Sequence, residues 1–178
     1  MELTTDQKGA IAESAIVHAA IKLGIGVLKP LTDGHRYDLA FDLESGRLVR
    51  VQCKWAPLHG NVIVVRACSH RRTAMGLTRT SYSATEIDAL AAYCPDLDRC
   101  FYLPGERVVD RTELLLRISP SRNNQRRGVN WADDFAFERL RFGAHGAVAQ
   151  LGERRAGSAK ARGSSPLGSI GAGGSSNL

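Results

Sequence analysis

The stretch Tyr37-Asp38-Leu39-Ala40-Phe41-Asp42-Leu43-Glu44-Ser45-Gly46-Arg47-Leu48-Val49-Arg50-Val51-Gln52-Cys53-Lys54-Trp55 reads as two strands joined by a tight loop. In the first half Tyr37, Leu39, Phe41 and Leu43 alternate with Asp38, Ala40 and Asp42. In the second, Val49, Val51, Cys53 and Trp55 alternate with Leu48, Arg50, Gln52 and Lys54. Period-two alternation marks strands buried on one face. Glu44-Ser45-Gly46 is a three-residue hairpin loop with glycine at its left-handed position. It pairs Leu43 with Arg47, and counting back sets Asp38 opposite Gln52 on one face, with Lys54 one step further along.

Before the hairpin, Ile25 to Lys29 predicts a strand ended by Pro30. Before it lies a helix over about Thr5 to Leu23, capped by Thr4 with Gln7 as the capping-box partner. On its helical wheel Glu13 falls near the middle of the apolar side. A carboxylate there is either an exception that needs a partner or a group aimed at a site. After the hairpin, Asn61 to Ala67 predicts a fourth strand. Ser83-Ala84-Thr85-Glu86 has the form of a capping box and predicts a short helix to about Tyr93. Arg99 to Leu103 and Glu113 to Ile118 predict strands, and Asn130 to Leu140 suits either a strand or a short helix. The order α-β-β-β-(β)-α-β is that of an α/β domain around a mixed sheet.

The chain of 178 residues fits one domain, and its 43% apolar residues can fill one core. No apolar run approaches the roughly 18–20 residues of a membrane span. The start, Met1-Glu2-Leu3-Thr4-Thr5-Asp6, has no basic segment followed by an apolar one. Cys53, Cys68, Cys94 and Cys100 form no CxxC pair, which argues for free thiols and a cytoplasmic location. The net charge is +6. Ser45 to Thr85 contains no acidic residue but holds Arg47, Arg50, Lys54, Arg66, Arg71, Arg72 and Arg79. A second acid-free window, Leu114 to Ala132, holds Arg117, Arg122, Arg126 and Arg127. Such windows suit a nucleic-acid footprint and equally suit a solvated basic surface.

Composition changes after Phe142, dividing a domain at 1–142 from a Gly/Ser/Ala/Arg-rich tail at 143–178 that is expected to be disordered. Ala147-Val148-Ala149-Gln150-Leu151-Gly152-Glu153-Arg154-Arg155 and Arg162-Gly163-Ser164-Ser165-Pro166-Leu167-Gly168-Ser169-Ile170 resemble a tRNA gene translated in sense. The tail then reads as an overrun of the reading frame.

One face of the hairpin thus presents Asp38, Gln52 and Lys54, with Glu13 on the preceding helix. Carboxylates from different elements are the usual ligands of a divalent cation, and the Gln52 amide oxygen can be a neutral one. Phosphodiester hydrolysis needs a metal to polarise the phosphoryl oxygen and to lower the pKa of water. A lysine beside them can stabilise charge or position the attacking water.

These residues resemble the PD-(D/E)XK nuclease superfamily: Glu13, Tyr37-Asp38-Leu39 and Gln52-Cys53-Lys54. More narrowly they are similar to its group I intron-associated homing endonucleases. The likeness extends to Tyr82-Ser83-Ala84-Thr85-Glu86-Ile87-Asp88, Tyr93, Cys100-Phe101-Tyr102-Leu103-Pro104 and Asn123-Asn124-Gln125. It implies a restriction-endonuclease-like αβββαβ core and metal-dependent cleavage of DNA, with Mg²⁺ as cofactor and Mn²⁺ as a substitute. Asp38 would be the principal metal ligand, Glu13 and Gln52 further ligands, and Lys54 the catalytic lysine. Two departures stand out: no proline stands just before Asp38, where Tyr37 is, and Gln52 replaces the acidic residue of the motif. Arg71, Arg72, Asn123, Asn124, Gln125, Arg126 and Arg127 are the candidate DNA contacts. Cutting both strands of a duplex needs two sites, so a homo-oligomer, a dimer or higher, is expected and no membrane partner. The rival readings are a DNA-binding protein without catalysis on the same scaffold and a structure-selective resolvase or repair nuclease.

Overall fold

The computed structural model describes residues 2–43, 46–74, 76–120 and 127–140. Helix α1 spans Thr5–Lys22. The Thr4 hydroxyl accepts from the Gln7 N–H at 3.2 Å, and the Gln7 side chain accepts from the Thr4 N–H at 2.9 Å. This reciprocal pair satisfies two donors that the first helical turn cannot, as the spacing predicts. Ala12, Ile16 and Ala20, four residues apart, form the buried stripe. Ile16 is fully buried, so its truncation to alanine is worth about 2–5 kcal/mol.

Strands β1 (Gly26–Leu28), β2 (Leu39–Asp42) and β3 (Leu48–Trp55) follow. β2 and β3 pair antiparallel with Leu39 opposite Val51 and Asp42 opposite Leu48. That is the register predicted from the loop. Glu44 and Ser45 lie outside the described residues; Gly46 has φ +69°, where a side chain is strained.

The chain continues through β4 (Leu58–His59), β5 (Val62–Arg66), β6 (Cys68–Thr73), β7 (Gly76–Ser81), β8 (Ala89–Cys94), β9 (Arg99–Pro104), the single turn α2 (Gly105–Val108) and β10 (Glu113–Arg117). The main sheet has the order β1-β2-β3-β8-β9. β3 and β8 run parallel and the other neighbours antiparallel, so the sheet is mixed, as expected. A second sheet has the order β10-β5-β4, and β6 and β7 form a two-stranded ribbon.

The central sheet is covered on both faces. α1 packs on one through Ile16 and Ala20 against Leu39, Phe41, Val49, Val51 and Ala89, with Phe137 closing the cluster. On the other face Leu90, Ala92, Phe101 and Leu103 meet Ile63, Val65, Leu114 and Leu116 of the second sheet. Odd residues of β3 therefore serve the helix side, while Gln52 and Lys54 point the opposite way.

Three expectations are corrected. The helix expected from Ser83 to Tyr93 is a turn at 84–86 followed by strand β8. Glu86 does accept from the Ser83 N–H at 2.9 Å, so the cap-like bond forms without a helix behind it. Ala89-Leu90-Ala91-Ala92 favours helix intrinsically, but it is buried on both faces between β3 and β9. Burial overrides propensity there, and small alanines admit close packing from both sides. Arg71 and Arg72, for which no strand was predicted, belong to β6. Asn130 to Leu140 forms two 3₁₀ turns, Ala132–Phe135 and Phe137–Arg139, rather than one element. The tail at 143–178 lies outside the described residues. No helix among the described residues is long and apolar enough to cross a membrane.

Candidate active site

The ladder between β2 and β3 ends at Asp38, whose N–H donates to the Val51 carbonyl at 3.0 Å. Beyond that point β3 has no backbone partner from β2. The next orphan donor, the Cys53 N–H, is instead taken by Asp38 Oδ2 at 2.7 Å. A buried backbone donor must be paired, and here a carboxylate completes what a carbonyl would have done. The side-chain amide of Gln52 donates to the same Oδ2. Asp38 and Gln52 are thus together on the face the hairpin register predicts, and Lys54 is the next residue on that face.

Lys54 reaches over the ring of Tyr82, its Nζ 5.2 Å from the ring centroid. The Arg36 guanidinium stands 4.8 Å from the same centroid. Arg36 is itself tied down: Nε donates to Glu86 at 2.9 Å, one terminal nitrogen to Ser69 Oγ at 2.9 Å, and the other to the Ser81 carbonyl at 3.3 Å. It joins the segment entering β2 to both strands of the ribbon and to the turn after it.

Glu13 is half-buried on α1 and has a partner, the ammonium of Lys29. It is also close enough that its charge raises the pKa of Asp38. Both readings of this residue therefore have support: the carboxylate is paired, and it contributes to the field at Asp38.

The site's electrostatics follow from burial. Desolvation pushes the Asp38 carboxyl above the usual range; the Cys53 N–H and the Lys54 charge pull the other way. Burial lowers Lys54, opposed by Asp38, while Arg36 lowers it further. Burial also drives the Cys53 thiol up, so it stays protonated. All four cysteines are free and buried, as expected from their spacing.

The donor set suits a hard divalent cation. Asp38 Oδ1 and Gln52 Oε1 make no hydrogen bond with any described residue, and Glu13 adds a second carboxylate. All the donors are oxygen, which favours magnesium or manganese over softer metals. Among the described residues no three His, Cys, Asp or Glu side chains cluster as a metal site. Gln52, which donates to Asp38, is neutral and is not one of those types.

The expected DNA contacts are placed less fully. Arg71 and Arg72 fall on β6, with Arg71 paired to Thr78 and Arg72 to Leu77, but their side chains lie outside the described part. Asn123, Asn124, Gln125 and Arg126 lie outside the described residues. Arg127 is exposed on a turn beside Gly128. Sequence reading missed Lys29, Arg36, Tyr82 and Glu86 as companions of the site. Only the Tyr82-to-Asp88 motif hinted at two of them.

The family model described as PD-(D/E)XK endonuclease matches residues 3–138. Among solved structures, a bacterial homing endonuclease, I-Ssp6803I, is similar to this chain with a TM-score of 0.63 and 27% identity. The match covers 86% of this chain and 99% of that one. No curated protein is significantly similar in sequence.

Proposed function

The chain belongs to the PD-(D/E)XK endonuclease family, and from that premise we propose that it is a divalent-metal-dependent DNA endonuclease centred on Asp38, Glu13, Gln52 and Lys54. The observation that carries this is the Asp38 carboxylate held by the Cys53 N–H and the Gln52 amide, with Lys54 next on the same strand face. Asp38, Glu13 and Gln52 would hold Mg²⁺ or Mn²⁺. When bound, the cation supplies Lewis-acid stabilisation of phosphoryl charge and acidifies a water. Lys54 would stabilise charge developing on the phosphate or orient the attacking water. Asp38, held by two donors on Oδ2, leaves Oδ1 without a hydrogen bond to any described residue.

DNA would be gripped by the basic, acid-free segments. β6 and β7 form a ribbon of the kind that enters a major groove, with Arg71, Arg72 and the exposed Arg79 along it. Asn123, Asn124, Gln125, Arg126 and Arg127 would add base and phosphate contacts. A homing role fits the named structural neighbour, itself a homing endonuclease. A duplex cut would require a homo-oligomer, and the enzyme would work in the cytoplasm.

The test is cleavage of supercoiled and branched DNA with Mg²⁺, Mn²⁺ or EDTA, comparing wild type with Lys54→Ala. Metal-dependent nicking lost in the variant supports the reading. DNA binding that survives EDTA without any cleavage of DNA carrying the native locus would favour a binding protein. Preference for branched DNA would favour a resolvase.

A further inference from the structure

Lys54 makes no hydrogen bond and no ion pair with any described residue. Its contact is with an aromatic face: Nζ lies 5.2 Å from the centroid of Tyr82, inside the roughly 6 Å over which a ring quadrupole attracts a cation. Tyr82 is 2% exposed, so that attraction acts where water screens it little.

The ring is held from both sides along the chain. Arg36 donates to the Ser81 carbonyl at 3.3 Å, just before Tyr82. Glu86 accepts from the Ser83 N–H at 2.9 Å, just after it, and pairs with Arg36 at 2.9 Å. The Tyr82 carbonyl accepts from the Asp110 N–H at 3.0 Å. Arg36 is a second cation over the ring, at 4.8 Å, yet Glu86 compensates its charge, which limits its repulsion of Lys54.

We propose that Tyr82 is a positioning residue for Lys54: its ring face fixes an ammonium that a flexible stem would otherwise leave undirected, and the Arg36–Glu86 pair fixes the ring. A lysine ammonium is a mobile point charge, unlike the rigid fork of arginine. Reactive groups must be held within a fraction of an ångström to act on one phosphate oxygen. With no hydrogen-bond acceptor on Lys54 among the described residues, the ring is the feature that can do so. The inference rests on the reading of Lys54 as the group that acts on the phosphate.

The test uses the full chain as wild type, Tyr82→Phe, Tyr82→Leu, and with ring-fluorinated phenylalanines at position 82. The first readout is independent of activity: the NMR shifts of the Lys54 ε-methylene protons, assigned by their loss in Lys54→Arg. Ring current should displace them upfield in wild type and Tyr82→Phe, and Tyr82→Leu should abolish the displacement. Undisplaced protons in wild type overturn the proposal whether or not the protein cuts DNA. The second readout is cleavage with Mg²⁺. Tyr82→Leu should lower kcat by about tenfold while KM for DNA changes by less than about threefold. Tyr82→Phe should stay within about threefold of wild type, and each added fluorine should lower kcat further. The fluorinated series keeps the ring's shape, so it decides the matter even if Tyr82→Leu fails to fold. A kcat indifferent to fluorination overturns the proposal. Tyr82→Phe as impaired as Tyr82→Leu overturns it too and hands the role to the hydroxyl. A wild type that cuts no DNA bears on the nuclease reading alone, and the Lys54 shift still decides the contact.

Discussion

The backbone N–H of Cys53 donates to the carboxylate of Asp38 at 2.7 Å, at the point where β2 leaves β3. The residue that would bind metal is therefore also the one that closes the strand ladder. Fold and chemistry make the same demand for an oxygen acceptor there, but only chemistry demands a charge.

Asp38→Asn separates the two demands. The amide oxygen can still accept from Cys53, so the ladder stays closed. Metal-supported cleavage should fall by about a hundredfold or more, because the proposed principal anionic ligand would be gone. Thermal unfolding should show no loss of stability at neutral pH, because burial already disfavours the charged form of Asp38. Parallel cleavage and melting curves check both parts.

Gln52→Glu would supply the acidic residue that the motif ordinarily has. It removes the amide donor to Asp38 and sets two carboxylates side by side. Without metal the variant should lose about 1–2 kcal/mol at neutral pH. Mg²⁺ should narrow that deficit, since a more anionic site binds a cation more tightly. Denaturant melts with Mg²⁺ and with EDTA give the two differences; a deficit that metal leaves unchanged would place Gln52 outside the ligand set.

Asp88 carries an acid-sensitive part of the fold. Arg50, two residues before Gln52 on β3, donates to it from its backbone N–H and from Nε, each at 2.9 Å. The Arg50 side-chain bond is the main reason its carboxyl lies below the usual range; burial opposes this. A depressed folded pKa gives stability that is present above the unfolded aspartate value and lost as pH falls through the folded one. Asp88→Asn should cost about 1–2 kcal/mol at pH 7 and flatten the acid limb of the melting temperature. Melting temperatures from neutral to strongly acid pH check it, and an unchanged acid limb would count against this pair.

Gly105→Ala tests the packing behind β8. Gly105 N–H donates to the Asp88 carbonyl at 2.8 Å. A Cβ at position 105 would lie 2.7 Å from that carbonyl oxygen, which is backbone and cannot swing away. The substitution should destabilise by about 1–3 kcal/mol, seen as a lower denaturant midpoint with an unchanged slope.

Much of the fold was legible because it is written in short-range chemistry. The Thr4–Gln7 capping box, the alternation of β2 and β3 and a loop with Gly46 in the left-handed region each act over a few residues. The hairpin register followed from them, and with it the meeting of Asp38 and Gln52. The stretch Ala89–Cys94 was misread because a short apolar run suits helix and strand alike. Its state depends on β3 and β9 lying at its two edges, which no local pattern encodes.

The residues alone therefore determined the first helix, the hairpin, the face shared by Asp38, Gln52 and Lys54, and the family those residues announce. Only the tertiary structure decided that Glu13 faces Lys29, that Asp38 pairs with the Cys53 backbone, and that Lys54 rests on Tyr82 with Arg36 and Glu86 behind it. The reason is physical. Periodicity and turn chemistry are set by neighbours in the chain, whereas these contacts join segments up to 50 residues apart. Their energies exist only after both segments are buried together, where water no longer competes for the same groups.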